Sequence, residues 1–335
     1  MDRRLFLFLL GSFSAADLLN GQQTPLSGPM EGFAFDAPTR SIRSIVGSLG
    51  SASLGPAVVQ DIDFASVAPG RDYAIAFRGR RGLFLSELGS DHPTVTHLSS
   101  TAIVPEQVAW SGDGSTAVFY SQAQNRLQIV SGFPASANPG QVLDLSSVGG
   151  TLSAVAVNSD GEHIVVGLIG DRGGVYEIGD GQSLIPLFSI AKPSALAFSE
   201  DGTSVYALDS TSGEISQFDL ANSSTQIWPA SLEDPVGIAA TRDASNRPVV
   251  YVVGRADRAL VAYDGSSHET IASVSLNFQP ALIAPLGRNS FLLTTRNSDS
   301  DLLWSFTNGV KPAVYFVPAT PLKNRVKRRP EVLLR

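Results

Sequence analysis

Residues 191–229 read AKPSALAFSEDGTSVYALDSTSGEISQFDLANSSTQIWP, and their pattern decides the fold. Four short apolar runs, SALAF, SVYAL, EISQFDL and TQIW, are separated by the breaks SEDGT, DSTSG and ANSS. Short runs rich in apolar and β-branched side chains, bounded by Gly, Asp, Asn and Ser, are strands. Asp-Gly between two such runs marks a tight turn, because Asp bonds nearby backbone N–H groups and Gly accepts a positive φ. The stretch therefore predicts one antiparallel meander of four strands.

The same meander recurs on both sides of it. First strands IDFAS, VAWS, VAVN, LAFS, IAAT and LIAP contain Ile62, Val108, Val155, Leu196, Ile238 and Leu282. Each leads into a turn, at Pro69-Gly70, Asp113-Gly114, Asp160-Gly161, Asp201-Gly202, Asp243-Ala244 or Gly287. The turns recur about every 41 to 47 residues, the period of propeller blades. Pro105, Pro193, Pro235 and Pro280 open four of the units. A lone four-stranded sheet has two apolar faces and covers neither, whereas a ring of such sheets covers both. The expected fold is all-β: a β-propeller of six full four-stranded antiparallel repeats. Two short strands within residues 32–47 add an N-terminal hairpin as a partial seventh blade, with a six-bladed ring and an outlying hairpin as the rival. Residues 48–56, rich in Gly, Ser and Ala, read as a linker. The propeller is expected over 30–318. A basic tail follows at 319–335, with six Lys/Arg against Glu331 alone.

Among 335 residues, 43% are hydrophobic and 16% charged, and the formal net charge is −7. Such a chain buries a large core, and its acidic balance, with no continuous basic face, speaks against nucleic acid as a partner. The absence of cysteine excludes disulfides, thiolate metal sites and a cysteine nucleophile. Residues 1–20 have a basic start at Arg3-Arg4, the short apolar centre LFLFLLG and small residues at Ser14-Ala15-Ala16. That order is a secretory signal peptide, and Arg3-Arg4-Leu5-Phe6-Leu7 fits a twin-arginine signal. The expected location is periplasmic or secreted, with no transmembrane segment in the mature chain.

The turns SGDGSTAVFY from Ser111, NSDGEHIVVG from Asn158 and SEDGTSVYAL from Ser199 carry a family likeness. They resemble the SPDG hairpin of the bacterial YVTN/WD40-like propellers, including the TolB-type and lactonase-type branches. The resemblance covers about residues 58–318. The literal YVTN tetrapeptide is absent, with Tyr251-Val252-Val253-Gly254 nearest to it, and so are the GH and WD dipeptides of WD40 proteins proper. It implies a propeller that serves as a protein scaffold, a lactonase or a subunit of a redox complex, and the fold does not choose among them.

One charge pattern bears on function. Within a propeller, second-to-third turns and blade-to-blade links share one rim, and first-to-second turns share the other. Arg78, Arg80, Arg81, Arg126, Arg172, Arg255, Arg258 and Arg296 fall on second-to-third turns. Guanidinium forks bind carboxylates and phosphates, so these arginines predict a rim for a protein or anionic small-molecule partner. Asp113, Asp160, Asp201 and Asp243 mark the other rim and read as turn residues rather than as a ring of metal ligands. Asp61 and Asp63 flank Ile62 on what reads as an innermost strand. They are the alternative site, an acid–base or metal pair of a lactonase-like or metal-dependent hydrolase at the axial channel. Asp299 and Asp301 form a weaker candidate for a metal, in a loop that lacks the Gly and Glu of an EF-hand. The histidines at 92, 97, 163 and 268 show no ligand spacing. The leading expectation is a monomeric binding scaffold with no cofactor.

Overall fold

The computed structural model describes residues 28–48, 50–287, 290–295, 303–307 and 312–319. The signal segment 1–20, Arg296, Asp299, Asp301 and the tail beyond Ala319 lie outside the described residues. Every regular element among them is a strand, apart from one 3-10 turn at Asp180–Gln182. None is a helix long and apolar enough to cross a membrane.

The strands form seven antiparallel sheets. Six have four strands in sequence order and are numbered blades 2 to 7, at residues 64–97, 107–144, 150–188, 193–229, 235–275 and 280–317. Second strands carry the heaviest burial, complete in Thr116–Ser121 and Ser204–Asp209, while the fourth strand Thr94–His97 is wholly exposed. Burial thus peaks on the second strands, the inner strand Gln107–Trp110 being only half-buried, and falls toward the outer edge. Pro193, Pro235 and Pro280 begin the inner strands of blades 5, 6 and 7, and in each the pairing register shifts just after the proline. Proline has no N–H to give a ladder, so it sits at the strand start where the bulge opens.

Seven apolar clusters hold the ring, one at each junction between neighbouring sheets. Ile75 and Phe77 of blade 2 meet Ala117 and Phe119 of blade 3, and Val118 and Tyr120 of blade 3 meet Leu152 and Val166 of blade 4. Val165 of blade 4 packs with Val205 of blade 5, Leu208 of blade 5 with Val250 of blade 6, and Tyr251 of blade 6 with Phe306 of blade 7. The N-terminal sheet joins both ends, through Phe33 and Ile42 to Ala74 and through Ala34 and Ile45 to Leu286 and Val317. The wheel is closed, and the fold is a seven-bladed β-propeller.

Blade 1 differs from expectation in one respect. It is a three-stranded sheet, β1 (Met30–Asp36), β2 (Ser41–Val46) and β3 (Ser53–Gln60), so the expected linker 48–56 ends inside a strand. Gly55 and Pro56 weaken the strand signal, and the β2–β3 register shifts on both sides of Arg43. Arg43 is buried there. Its Nε donates to Gly55 O at 2.7 Å, its Nη2 to Leu54 O at 3.1 Å, and its Nη1 pairs with Asp36 Oδ2 at 3.0 Å. One side chain thus satisfies the carbonyls that the bulged ladder leaves open. Leu54 N–H donates to Pro318 O at 2.8 Å, so the end of blade 7 clasps blade 1.

Strand direction settles which places in blade 1 its three described strands occupy. β3 runs through residues 61–63 straight into the inner strand Phe64–Val67 of blade 2, as fourth strands do elsewhere. Antiparallel alternation then makes β2 a third strand and β1 a second strand, and the innermost place has no strand among the described residues. The first-to-second turns of blades 2 and 7 touch directly, Gly70 N–H donating to Leu286 O at 2.8 Å.

The Asp-Gly turns behave as local chemistry requires. Asp113 Oδ1 accepts from Ser111 Oγ, Ser115 N and Ser115 Oγ at 2.7–2.8 Å, with Gly114 at φ +76°. Asp201 repeats this with Ser199 and Thr203. Burial works against the Asp113 carboxylate, but the Ser111 and Ser115 donors hold its pKa below the ordinary 3.8. A carboxyl depressed in the folded state stabilises above its ordinary pKa and loses that contribution as pH falls through the folded value. Asp113→Asn should therefore flatten the fall of Tm below about pH 4, measured by circular dichroism melts across the acid range.

Candidate functional site

The two rims have separate contact networks. Second-to-third turns bond the blade-to-blade links: Arg78 to Gln60 and Asp61, Gln122 N–H to Glu106, and Arg255 to Asp234. First-to-second turns bond one another, Asp113 N–H to Ser159 O and Ser159 Oγ to Glu200 O. The described arginines named above lie on the first of these rims, and their charges are not equally free.

Arg126 pairs with Asp144 at 2.6 Å and Arg255 with Asp234 at 3.2 Å. Exposed Arg172 and Arg258 follow Asp171 and Asp257 in sequence but form no ion pair among the described residues, and the Asp257 carboxylate accepts from Glu233 N–H instead. Blade 2 is different. Its turn pairs Arg78 directly opposite Arg81, with Gly79 at φ +57° and Arg80 at the tip. Like charges opposite each other on neighbouring strands destabilise a hairpin. Arg78 is held by backbone carbonyls, Asp61 O at 2.7 Å and Gln60 O at 3.2 Å, rather than by a carboxylate. Arg80 and Arg81 are exposed and have no partner among the described residues.

Asp61 and Asp63 differ in placement from the sequence reading. They precede the inner strand instead of lying on it, and Asp61 sits at φ +63°. Asp63 is committed to this corner, Oδ2 accepting from Gly79 N–H at 2.6 Å and Oδ1 pairing with Arg40 Nη2 at 2.5 Å. Arg40, from the β1–β2 turn, is the residue the sequence reading missed. Its place on this rim follows from β1 and β2 taking the second and third places of blade 1, which makes their connection a second-to-third turn. The hidden signal was β3, where Leu54, Val58 and Val59 interrupt the small residues. Four guanidiniums and two carboxylates thus share one corner, and the corner carries surplus positive charge in an acidic protein.

The histidines stay apart. His163 Nδ1 pairs with Glu177 at 2.5 Å, and His268 stacks on Trp228 with centroids 3.9 Å apart. Among the described residues no three His, Asp or Glu side chains converge as metal ligands.

No protein-family model matches the chain, and no curated protein matches it by sequence. Solved structures do match. A putative 6-phosphogluconolactonase from Bacteroides fragilis aligns with TM-score 0.57 and 11% identity over 85% of this chain and 96% of that one. Hsv2 of Kluyvelomyces marxianus aligns with TM-score 0.56 and 10% identity over 84% and 93%. A functionally unknown protein from Desulfotomaculum acetoxidans gives TM-score 0.53 and 15% identity over 73% and 78%. At these identities the likeness is one of fold, which hosts unrelated functions.

Proposed function

We propose that this chain is an exported propeller of YVTN-like kinship that works as a binding scaffold, and that the Arg40, Arg78, Arg80 and Arg81 corner receives an anionic group of its partner. The observation that carries this reading is the blade 2 turn. Arg78 faces Arg81 across the ladder, and Arg80 and Arg81 project with no carboxylate partner among the described residues. Two exposed guanidiniums, Arg80 and Arg81, that cost stability and serve no internal pair among the described residues are accounted for by an external anion. The lactonase-like alternative draws on the fold of its structural neighbour alone, because Asp63 already holds Arg40 and the Gly79 N–H.

The test is titration of the full chain with a capped hexaglutamate peptide and, separately, inorganic phosphate. The Arg80→Ala/Arg81→Ala double variant should bind the preferred anion about tenfold more weakly while melting no lower than the wild type. Binding should also weaken as ionic strength rises from about 0.05 to about 0.3 M. Equal binding by the double variant rejects the assignment. Export rests on residues 1–20 and is checked by fusing them to a folded reporter. Arg3→Lys/Arg4→Lys should abolish a twin-arginine route and spare an ordinary secretory one.

A further inference from the structure

On the opposite face, blades 5 and 6 enclose a crevice of about 280 Å³. It lies between the first-to-second turns of the two blades and the third-to-fourth turn of blade 6. Glu200, Asp201, Tyr206, Gln217, Arg242 and Ser266 are among its walls. We propose that this crevice binds a guanidinium or alkylammonium group, with Glu200 as counter-charge and the Tyr206 hydroxyl as a contact at its wall.

Tyr206 is the observation that points to a ligand. Only 2% of it is exposed, yet its hydroxyl has no hydrogen-bond partner among the described residues and lies at the crevice wall beside Gly265. The ring is buried while the hydroxyl itself opens on the crevice, where its hydrogen-bonding capacity is left for something outside the chain to use. Burial, with the Asp201 charge adding to it, pushes the phenol up to about 12, so it stays protonated and its oxygen keeps lone pairs to offer.

The remaining walls decide the sign of the ligand. Asp201 is saturated, taking Ser199 and Thr203 on Oδ1 and Arg242 Nη2 on Oδ2 at 2.5 Å. Arg242 is correspondingly clamped, with Nη1 donating to Asn246 O at 3.0 Å. These two charges offset each other. Glu200 uses only Oε2, which accepts from Arg242 N at 2.8 Å and Thr241 Oγ1 at 3.3 Å. Its Oε1 takes no described donor, and its charge is not matched in the crevice. Asp264, whose Oδ1 accepts from Ser266 and Ser267 N–H, adds a further negative charge behind the wall. Open acceptors at Glu200 Oε1, Tyr206 Oη and Ser266 Oγ suit a group that brings only donors and one positive charge. An anion meets surplus negative charge. A neutral polyol would cover Glu200 without neutralising it, and burying an unmatched charge is costly.

Two sources carry this chemistry, a free small cation and the side chain of a basic peptide. Calorimetric titration of the full chain with agmatine, with a capped Gly-Arg-Gly peptide and with methyl glucoside separates them. Saturable binding of either cation upholds the site. Agmatine binding at least as tightly as the peptide assigns a free cation, and tighter peptide binding assigns a side chain. Tyr206→Phe should melt no lower than the wild type, because its hydroxyl makes no internal bond, and should bind about tenfold more weakly. Glu200→Gln, which retains an acceptor for Arg242 N–H, should lose as much or more. Absence of saturation by both cations, equal binding of methyl glucoside, or wild-type affinity in both variants overturns the proposal. Arg80→Ala/Arg81→Ala should leave agmatine binding intact, so the two faces succeed or fail separately.

Discussion

Arg43→Ala is expected to cost about 3–5 kcal/mol of stability, the range for breaking a buried ion pair from one side. Arg43 is 1% exposed, and its guanidinium spans β1, β2 and β3 through Asp36, Leu54 and Gly55. Removing it strands the Asp36 carboxylate, whose remaining side-chain partner is Thr39 Oγ1 at 2.7 Å. It also frees two carbonyls at the bulges that hold β3 in register. Because Leu54 also receives the end of blade 7 through Pro318 O, the ring closure weakens with it. Urea denaturation followed by tryptophan fluorescence measures the loss. Arg43→Met combined with Asp36→Leu should recover most of it, since no charge is then left unpaired. A single variant within about 1 kcal/mol of wild type would show that β3 stands without this arginine.

Phe119→Ala is the second large effect, also expected at about 3–5 kcal/mol. Phe119 is fully buried on the second strand of blade 3, and its ring meets that of Phe77 from blade 2 edge-on, with centroids 5.8 Å apart. The cavity therefore opens between blades rather than inside one sheet. If neighbouring blades hold each other by such contacts, Phe77→Ala and Phe119→Ala will not add. A double-mutant cycle should show a coupling of about 0.5–1.5 kcal/mol beyond simple area loss. Strict additivity would mean that each blade is stabilised mainly by itself. The dependence of stability on urea should keep its slope in every variant if the ring unfolds as one body.

Reading the chain without coordinates recovered the meander because strand and turn signals are local. Asp113-Gly114 and Asp201-Gly202 announce their turns through bonds that span two to five residues. β3 escaped because Gly55 and Pro56 interrupt it and because its irregular register is held from another strand by Arg43. The arginines at 78, 80 and 81 were legible as rim residues. That Arg40 joins them while Arg126 and Arg255 are neutralised was not. Tyr206 reads in sequence as one more core residue of a second strand, since nothing nearby in the chain reveals that its hydroxyl faces a gap beside the next blade.

By itself, then, the sequence determined a repeated four-stranded unit, its turns and the need for copies to stack, since periodicity and turn preference act over a few residues. Only the tertiary structure decided which places β1, β2 and β3 take in blade 1, which charges meet and which polar groups are left open. Those outcomes are set by contacts between blades some forty residues apart, and no local pattern encodes which side chain will stand opposite another across such a distance.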